Sequence, residues 1–265
     1  SAYFQKQLEA VGNYYFNISG ENLPYTANII INSNSPENGY YTVSDSMESY
    51  AKSDELLAEF FSEVLDSAKS DIETILTQQN VASDEVVFIV FHAGLGQDFS
   101  LPGLDPTIYD LKSAYIDEEM MTGVTPTEIH GYTPSTIDDS IKTGILLPET
   151  QNMIYYDIVE DFFGNPDYGT DDLCDIQLGL TGIFAFLLGY ELGLPPLFNP
   201  ETGDPGVGFF GLMDHGSNNG RGVIPAPPSP WTRSLPDSTW STIETISPFQ
   251  ITDTPISINA LDALN

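Results

Sequence analysis

The sequence predicts one domain that mixes α-helices and β-strands. A long amphipathic pattern covers Ser53–Leu76, a short run of apolar, mostly β-branched residues covers Val86–Phe91, and an apolar stretch with several glycines covers Ile176–Leu194. Apolar residues at helical spacing indicate a helix with one buried face, whereas a short continuous apolar run indicates a buried strand. Helix and strand signals therefore alternate along the chain, and no internal repeat is visible.

The earliest strand candidate is Asn28–Ile31, and the clearest helix follows it. Ser53 suits the N-cap of this helix because its hydroxyl can accept a backbone N–H, and Asp54 and Glu55 complement the positive end of the helix dipole. The predicted helix therefore runs from Ser53 to Leu76. Its apolar face consists of Leu56, Leu57, Phe60, Phe61, Val64, Leu65, Ala68, Ile72 and Ile75.

Further strands are expected after this helix. The run Val86–Phe91 contains no polar residue, which predicts a strand covered on both faces. Shorter candidates are Ile145–Leu147 and Ile154–Tyr156, and Gln250–Ile258 is a candidate near the last residue. The segment Leu194–Pro236 is rich in Pro and Gly, so we expect an irregular region that is held by packing around a site.

The charge of the chain limits its partners. Thirty-nine Asp and Glu residues against seven Lys and Arg residues give a formal net charge of −32. Nucleic acid is excluded as a partner because binding a phosphate backbone requires a basic surface, and anionic membranes are disfavoured for the same reason. The excess of acid fits a saline or divalent-rich exterior, and it fits equally a highly charged soluble surface.

The chain contains no segment typical of membrane insertion. Gln177, Thr181, Glu191 and several glycines interrupt the stretch Ile176–Leu194, so we expect a buried core helix there and not a transmembrane helix. No basic leader followed by an apolar run opens the chain, so a secreted form is expected to be the mature form. Among these 265 residues the single cysteine cannot form an internal disulfide.

The predicted core helix carries the most informative pattern. Gly182–Phe198 reads GIFAFLLGYELGLPPLF and follows G-x-x-A-H-E-x-G-H-x-L-G-L-P-D-L-Y, the frame of a metalloprotease active-site helix. In that frame two His four residues apart bind one Zn²⁺, and the Glu between them activates a metal-bound water. Here Phe186 and Tyr190 occupy the two His positions, Leu187 occupies the Glu position, and Pro196 occupies the position of a further ligand.

These replacements remove the zinc chemistry of the frame. Side chains of phenylalanine, leucine and proline have no lone pair to donate, and a neutral tyrosine phenol is a poor zinc ligand. The rings of Phe186 and Tyr190, four residues apart, are expected to fill the face of the helix on which zinc would lie. No zinc is therefore expected at these positions.

Other segments extend the similarity along the chain. Val86–Asp98, which reads VVFIVFHAGLGQD, resembles the buried strand and following turn of the immune inhibitor A family of secreted zinc metalloproteases. Gly208–Gly220, which reads GFFGLMDHGSNNG, resembles that family's turn with a methionine beneath the metal, which places Met213 there. Ile224–Arg233, which reads IPAPPSPWTR, resembles the Pro-rich run that follows. NYYFNISGENL and GYYTVSDSMESYA match more weakly, and the chain resembles a degenerate member that lacks the H-E-x-x-H residues.

The resemblance implies a zincin-like α+β metalloprotease fold. Such a fold has a mixed sheet over a long buried active-site helix and an irregular Pro/Gly-rich C-terminal region. It would make residues 1–265 a single metalloprotease-like domain, with sheet and helix in residues 1–193 and the Met-turn and Pro-rich part in residues 194–265. Family members usually have a strand before the first residue of this chain and further domains after its last, so we expect a processed piece.

Three functional interpretations follow. The loss of the ligands favours a secreted or cell-surface protein without catalysis that acts as a structural, self-assembling or binding module. An exposed sheet edge, left by the missing upstream strand, would let a homo-oligomer or filament form by strand addition. The alternative is an active secreted metallopeptidase whose displaced metal is held by His92, His215 and carboxylates. The third is a module that binds a peptide or a glycan in the former cleft.

Calcium is the metal that the sequence favours. Ca²⁺ accepts hard oxygen ligands on flexible loops, although no EF-hand pattern is present. The candidate ligands lie before and after the predicted core helix, and they are Asp167, Asp171, Asp172, Asp175, Glu201 and Asp204.

Overall fold

A computed structural model describes residues 2–98, 108–132, 139–156 and 173–235. These residues form a mixed α and β structure, as predicted. Contacts divide the chain into two compact units. The first unit contains the described residues 2–28, 181–189 and 193–235. The second unit contains the described residues between 29 and 180, together with 190–192.

The second unit contains a three-stranded mixed sheet with the order β1-β3-β2. Strand β1 (Ile89–Leu95) runs parallel to β3 (Gly144–Thr150), and β2 (Ala114–Ile116) runs antiparallel to β3. A separate antiparallel pair consists of β4 (Met153–Tyr156) and β5 (Leu173–Ile176). The predicted strands at residues 145–147 and 154–156 are therefore confirmed.

Two strand predictions require correction. The strand predicted at Val86–Phe91 begins at Ile89. Its first four residues alternate between half-buried and buried, and Ala93 and Gly94 are exposed, so it is not covered on both faces. The more completely buried strand is β3, whose residues 144–148 are all buried and which lies between two partners in the sheet. Residues Asn28–Ile31 form no strand, because their backbone has no neighbouring strand to pair with among the described residues. The candidate at Gln250–Ile258 lies outside the described residues.

Helices α2 (Met47–Tyr50) and α3 (Asp54–Gln79) pack in the second unit. The predicted N-cap of α3 is confirmed, since the Ser53 hydroxyl oxygen accepts the backbone N–H of Leu56 at 3.3 Å. The left-handed Asn80, with φ of 61°, ends the helix. A 3₁₀ turn at residues 83–85 then leads to the sheet.

The core of the second unit lies between α3 and the sheet. Phe61 is fully buried, and its ring covers β3 so closely at Gly144 that a side chain there would collide with the ring. Helix α3 and the sheet therefore meet across a glycine. This close approach fixes the position of β3 relative to the helix.

The first unit is built from helices and irregular segments. Helix α1 (Ala2–Ile18) buries Leu8, Val11 and Tyr15 at helical spacing. Helix α4 (Leu180–Glu191) contributes residues to both units. Between residues 194 and 235 the chain is irregular, as predicted, with 3₁₀ turns at 208–210 and 215–218 and the short helices α5 (Asn219–Gly222) and α6 (Pro230–Arg233).

None of the helices in the described residues is both long enough and apolar enough to cross a membrane.

Candidate functional site

Helix α4 forms where the apolar stretch predicted a core helix, with narrower limits. Its residues are apolar on nearly every side, and Phe184, Ala185 and Leu187 are buried. Past its last residue, Leu194 donates its backbone N–H to the Gly189 carbonyl at 2.9 Å, and Gly193 adopts a left-handed φ of 75°. This closing bond and the glycine end the helix.

Phe186, at the first predicted His position, and Leu187, at the predicted Glu position, lie in an apolar environment. The half-buried ring of Phe186 lies 6.1 Å from the ring of Phe198, with the two planes tilted by 39°. Leu187, at the position of the catalytic Glu, is buried. Pro196, at the further ligand position, is exposed. None of these three side chains offers an atom that can coordinate a metal.

The second His position is occupied by a phenol that stays protonated at neutral pH. Tyr190 stacks on Tyr115, with ring centroids 5.6 Å apart and planes 22° apart. Burial raises the pKa of the Tyr190 hydroxyl to about 12. Because a phenol binds metal well only after losing its proton, Tyr190 is a poor replacement for a histidine.

Glu191, the last residue of α4, lies four residues after Leu187, the predicted general-base position. The Thr143 hydroxyl donates to Glu191 Oε1 at 3.4 Å, whereas Oε2 is buried and has no hydrogen-bond partner among the described residues. Burial, followed by the nearby Glu191 carboxylate, raises the pKa of the Tyr115 hydroxyl to about 12. The carboxylate of Glu191 is therefore directed toward the stacked tyrosines.

Met213, the predicted Met-turn residue, lies directly against α4. It is fully buried, and a methyl group added to Gly189 would lie 2.5 Å from its sulfur. Two turns before Gly189, a methyl group on Gly182 would collide with the carbonyl of Ser217. Two glycines of the motif thus allow the segment around Met213 to approach the helix backbone, and no metal is needed to explain either glycine.

The residue after Met213 organises the turn, and sequence analysis did not identify it. The buried Asp214 carboxylate accepts the backbone N–H groups of Gly206, Val207 and Gly208 on Oδ2, at 2.7–2.9 Å. Its Oδ1 accepts the N–H of His215 at 2.7 Å. Burial alone would raise the pKa of Asp214, but these four donors outweigh burial and hold the pKa below its usual value.

The two histidines of the displaced-metal alternative belong to different units. In the second unit His92 is buried, its Nδ1 donates to the Ala93 carbonyl at 3.0 Å, and its Nε2 has no partner among the described residues. Burial lowers the pKa of His92, so the ring is neutral at pH 7. In the first unit His215 is partly exposed, and its ring lies 5.9 Å from that of Phe209. No group of three or more His, Cys, Asp or Glu that could hold a metal occurs among the described residues.

Most of the calcium candidates cannot be placed. Asp167, Asp171 and Asp172 lie outside the described residues, as does the side chain of Asp175. Glu201 and Asp204 lie in an exposed loop. The carboxylate of Asp204 accepts the Thr202 hydroxyl at 2.8 Å, and the Glu201 N–H donates to the Asn199 side chain at 2.9 Å. The calcium prediction therefore stays a prediction.

Packing and hydrogen bonds explain the residues of the motif at the end of β1. Asp98 accepts the Ser113 N–H at 2.7 Å and the Gln151 side-chain amide at 2.6 Å. A side chain on Gly96 would collide with Pro148 of β3. The motif from His92 to Asp98 therefore fastens the end of β1 to neighbouring segments of the second unit.

Sequence analysis missed two residues of the site, Tyr115 and Asp214. Tyr115 lies on β2, and nothing near it in the chain indicates the stacked Tyr190. Asp214 did carry a signal, since it is the only acidic residue between Pro205 and Leu235 in a very acidic chain. An isolated carboxylate among glycines is suited to collecting backbone N–H groups.

Comparisons with known proteins were negative: the sequence matches no family model and no curated protein, and the structure matches no solved structure.

Proposed function

We propose that this chain is a secreted or cell-surface protein that has the scaffold of an immune inhibitor A metalloprotease without its catalysis, and that acts as a structural or binding module. One observation carries the proposal. The three helix positions that would supply zinc ligands and the general base hold Phe186, Leu187 and Tyr190, none of which is a suitable donor.

The surroundings of these residues support the proposal. The ring of Phe186 contacts another ring and Leu187 is buried, so both positions are part of apolar packing. The phenol of Tyr190 is protonated at neutral pH, because its pKa is raised to about 12. Zinc requires nitrogen, thiolate or carboxylate ligands, so the residues present do not fit a zinc ion.

The experiment measures metal content and proteolysis in the same preparation. Natively purified protein is expected to contain substoichiometric zinc and to leave an unfolded protein substrate intact, with or without a chelator. Stoichiometric zinc together with chelator-sensitive cleavage would overturn the proposal. His92→Ala and His215→Ala then serve as paired variants, because the displaced-metal alternative requires that each of them removes both metal and cleavage.

A further inference from the structure

The first unit exposes a cluster of large apolar side chains. Phe209, Phe210, Val223 and Ile224 are 61%, 86%, 59% and 71% exposed, and we call them the Phe209 face. Single exposed apolar residues are common on protein surfaces, but contiguous groups of several are typical of interaction sites.

Asn219 joins the two parts of this face. Its side-chain amide donates to the Phe209 carbonyl at 3.0 Å, and its own carbonyl accepts the N–H of Ile224 at 3.2 Å. A methyl group added to the adjacent Gly220 would lie 3.5 Å from the Ile224 side chain, so the two residues are close neighbours. The two segments are thus held together before any partner binds, which lowers the conformational entropy that binding would cost.

The segment that forms the face differs in charge from the rest of the chain. Of the 39 acidic residues, only Asp214 lies between Pro205 and Leu235, and its carboxylate is buried. The other 38 (39 − 1) lie elsewhere in the sequence. The same segment carries Arg221, which is exposed. Apolar side chains therefore project from a segment without an exposed carboxylate.

We propose that the Phe209 face binds the same face of a second copy of this chain. Two molecules of net charge −32 repel each other, so they can approach best where exposed carboxylates are absent. A basic partner would instead be attracted to the acidic remainder of the surface. The inference rests on the proposed function, because it specifies the partner of the proposed structural module.

The area of the face predicts a weak dimer. With about 200 Å² for each Phe and about 100 Å² for each aliphatic side chain, the exposed fractions correspond to about 400 Å² in each copy. Two copies would bury about 800 Å², which is below the ~1,000 Å² expected of a stable specific interface. A dissociation constant in the micromolar range or weaker is therefore expected.

Sedimentation velocity at protein concentrations up to about 200 μM tests the proposal. Dimer formation is expected to strengthen from low to high salt, because salt screens the repulsion between the two acidic molecules. Phe210→Ser and Ile224→Ser are each expected to weaken dimerisation at least tenfold. Tyr40→Ser is the matched control, since Tyr40 is 67% exposed but lies in the second unit. Circular dichroism verifies that each variant is folded.

Three outcomes would overturn the proposal. The first is a monomer at every protein and salt concentration. The second is a dimer that both serine substitutions leave intact, such as a dimer formed through the edge of β1. The third is a monomer that binds zwitterionic lipid vesicles through Phe210. A zinc-free and inactive monomer would overturn this inference alone. A dimer that contains zinc and cleaves substrate would instead overturn the proposed function alone.

Discussion

Replacing Asp214 with asparagine tests whether one buried carboxylate holds the turn around Met213. The substitution keeps the size of the side chain but removes its charge and turns one acceptor oxygen into a donor. In the native chain Oδ2 accepts three backbone N–H groups and Oδ1 accepts one. Asn can therefore satisfy at most the three donors on one side, and it leaves the His215 N–H facing an amide group.

The expected loss follows from these four bonds. A hydrogen bond to a charged acceptor contributes about 1.5–3 kcal/mol and a neutral one about 0.5–1.5 kcal/mol, so three weakened bonds cost about 3 kcal/mol. An unpaired buried N–H adds about 1–3 kcal/mol, whereas removing the burial cost of the charge offsets part of the sum. We expect Asp214→Asn to lower the free energy of unfolding by about 2–4 kcal/mol at pH 7.

Urea unfolding followed by tryptophan fluorescence measures this difference, because Trp231 lies in the first unit. The pKa of Asp214 is depressed in the folded state, so its contribution is complete above the unfolded value of about 3.9. The contribution is lost as the pH falls through the folded pKa. The difference between Asp214→Asn and the native chain should therefore be constant from about pH 5 to 8 and shrink below about pH 4.

Asp204→Asn is the matched control, since it makes the same chemical change in an exposed loop of the same unit. It should alter the free energy of unfolding by less than about 0.5 kcal/mol. The reasoning fails if Asp214→Asn is as harmless as this control. It also fails if the deficit of Asp214→Asn does not shrink as the pH falls below the unfolded value of about 3.9, because a carboxylate with a depressed folded pKa must lose its contribution there.

Three further substitutions are expected to separate the packing contacts in urea unfolding. Gly189→Ala should lower the free energy of unfolding by about 1–3 kcal/mol, despite the helix preference of Ala. The double variant Gly189→Ala with Met213→Ala should lose at least about 1 kcal/mol less than the sum of the two single losses. Additive losses would contradict the contact between Gly189 and Met213. Glu191→Gln should leave the free energy of unfolding unchanged or raise it by up to about 1 kcal/mol, because the native Oε2 is buried without a hydrogen-bond partner among the described residues. A loss of more than about 1 kcal/mol would refute this prediction. Phe61→Ala should cost about 3–5 kcal/mol, and a loss below 1 kcal/mol would show that its ring does not pack on Gly144.

In the second unit, the sequence predicted an element well where its cap, its end charges and its apolar face were all visible. Helix α3 had an N-cap at Ser53, acidic residues in its first turn and a continuous apolar face, and all three occur in the structure. The strand predicted at Asn28–Ile31 was wrong because β propensity cannot supply a neighbouring strand. Helix α1 was not predicted, although Leu8, Val11 and Tyr15 are spaced for a helix, because the aromatic residues around them obscured the pattern.

The apolar composition of α4 predicted a buried helix but not its contacts. The assignment of Phe186, Leu187 and Tyr190 as replaced positions of a zinc site stays a prediction. The rings were expected to fill the vacated face together, whereas the contacts identified are with Phe198 for the first ring and Tyr115 for the second. Stacking partners depend on how distant segments meet, and helical spacing carries no information about that.

The packing of α4 also changes what the motif implies. Gly182 and Gly189 leave room for Ser217 and Met213, and Asp214 secures the turn before them through backbone N–H groups. All of these contacts join protein atoms to protein atoms, and none of them involves the side chain of Phe186, Leu187 or Tyr190. The glycines and the methionine are therefore needed for packing whether or not a metal binds.

The Asp214 carboxylate also fixes residues 206–208, immediately before Phe209 and Phe210. The turn that Asp214 holds is therefore joined directly to the residues of the proposed Phe209 face.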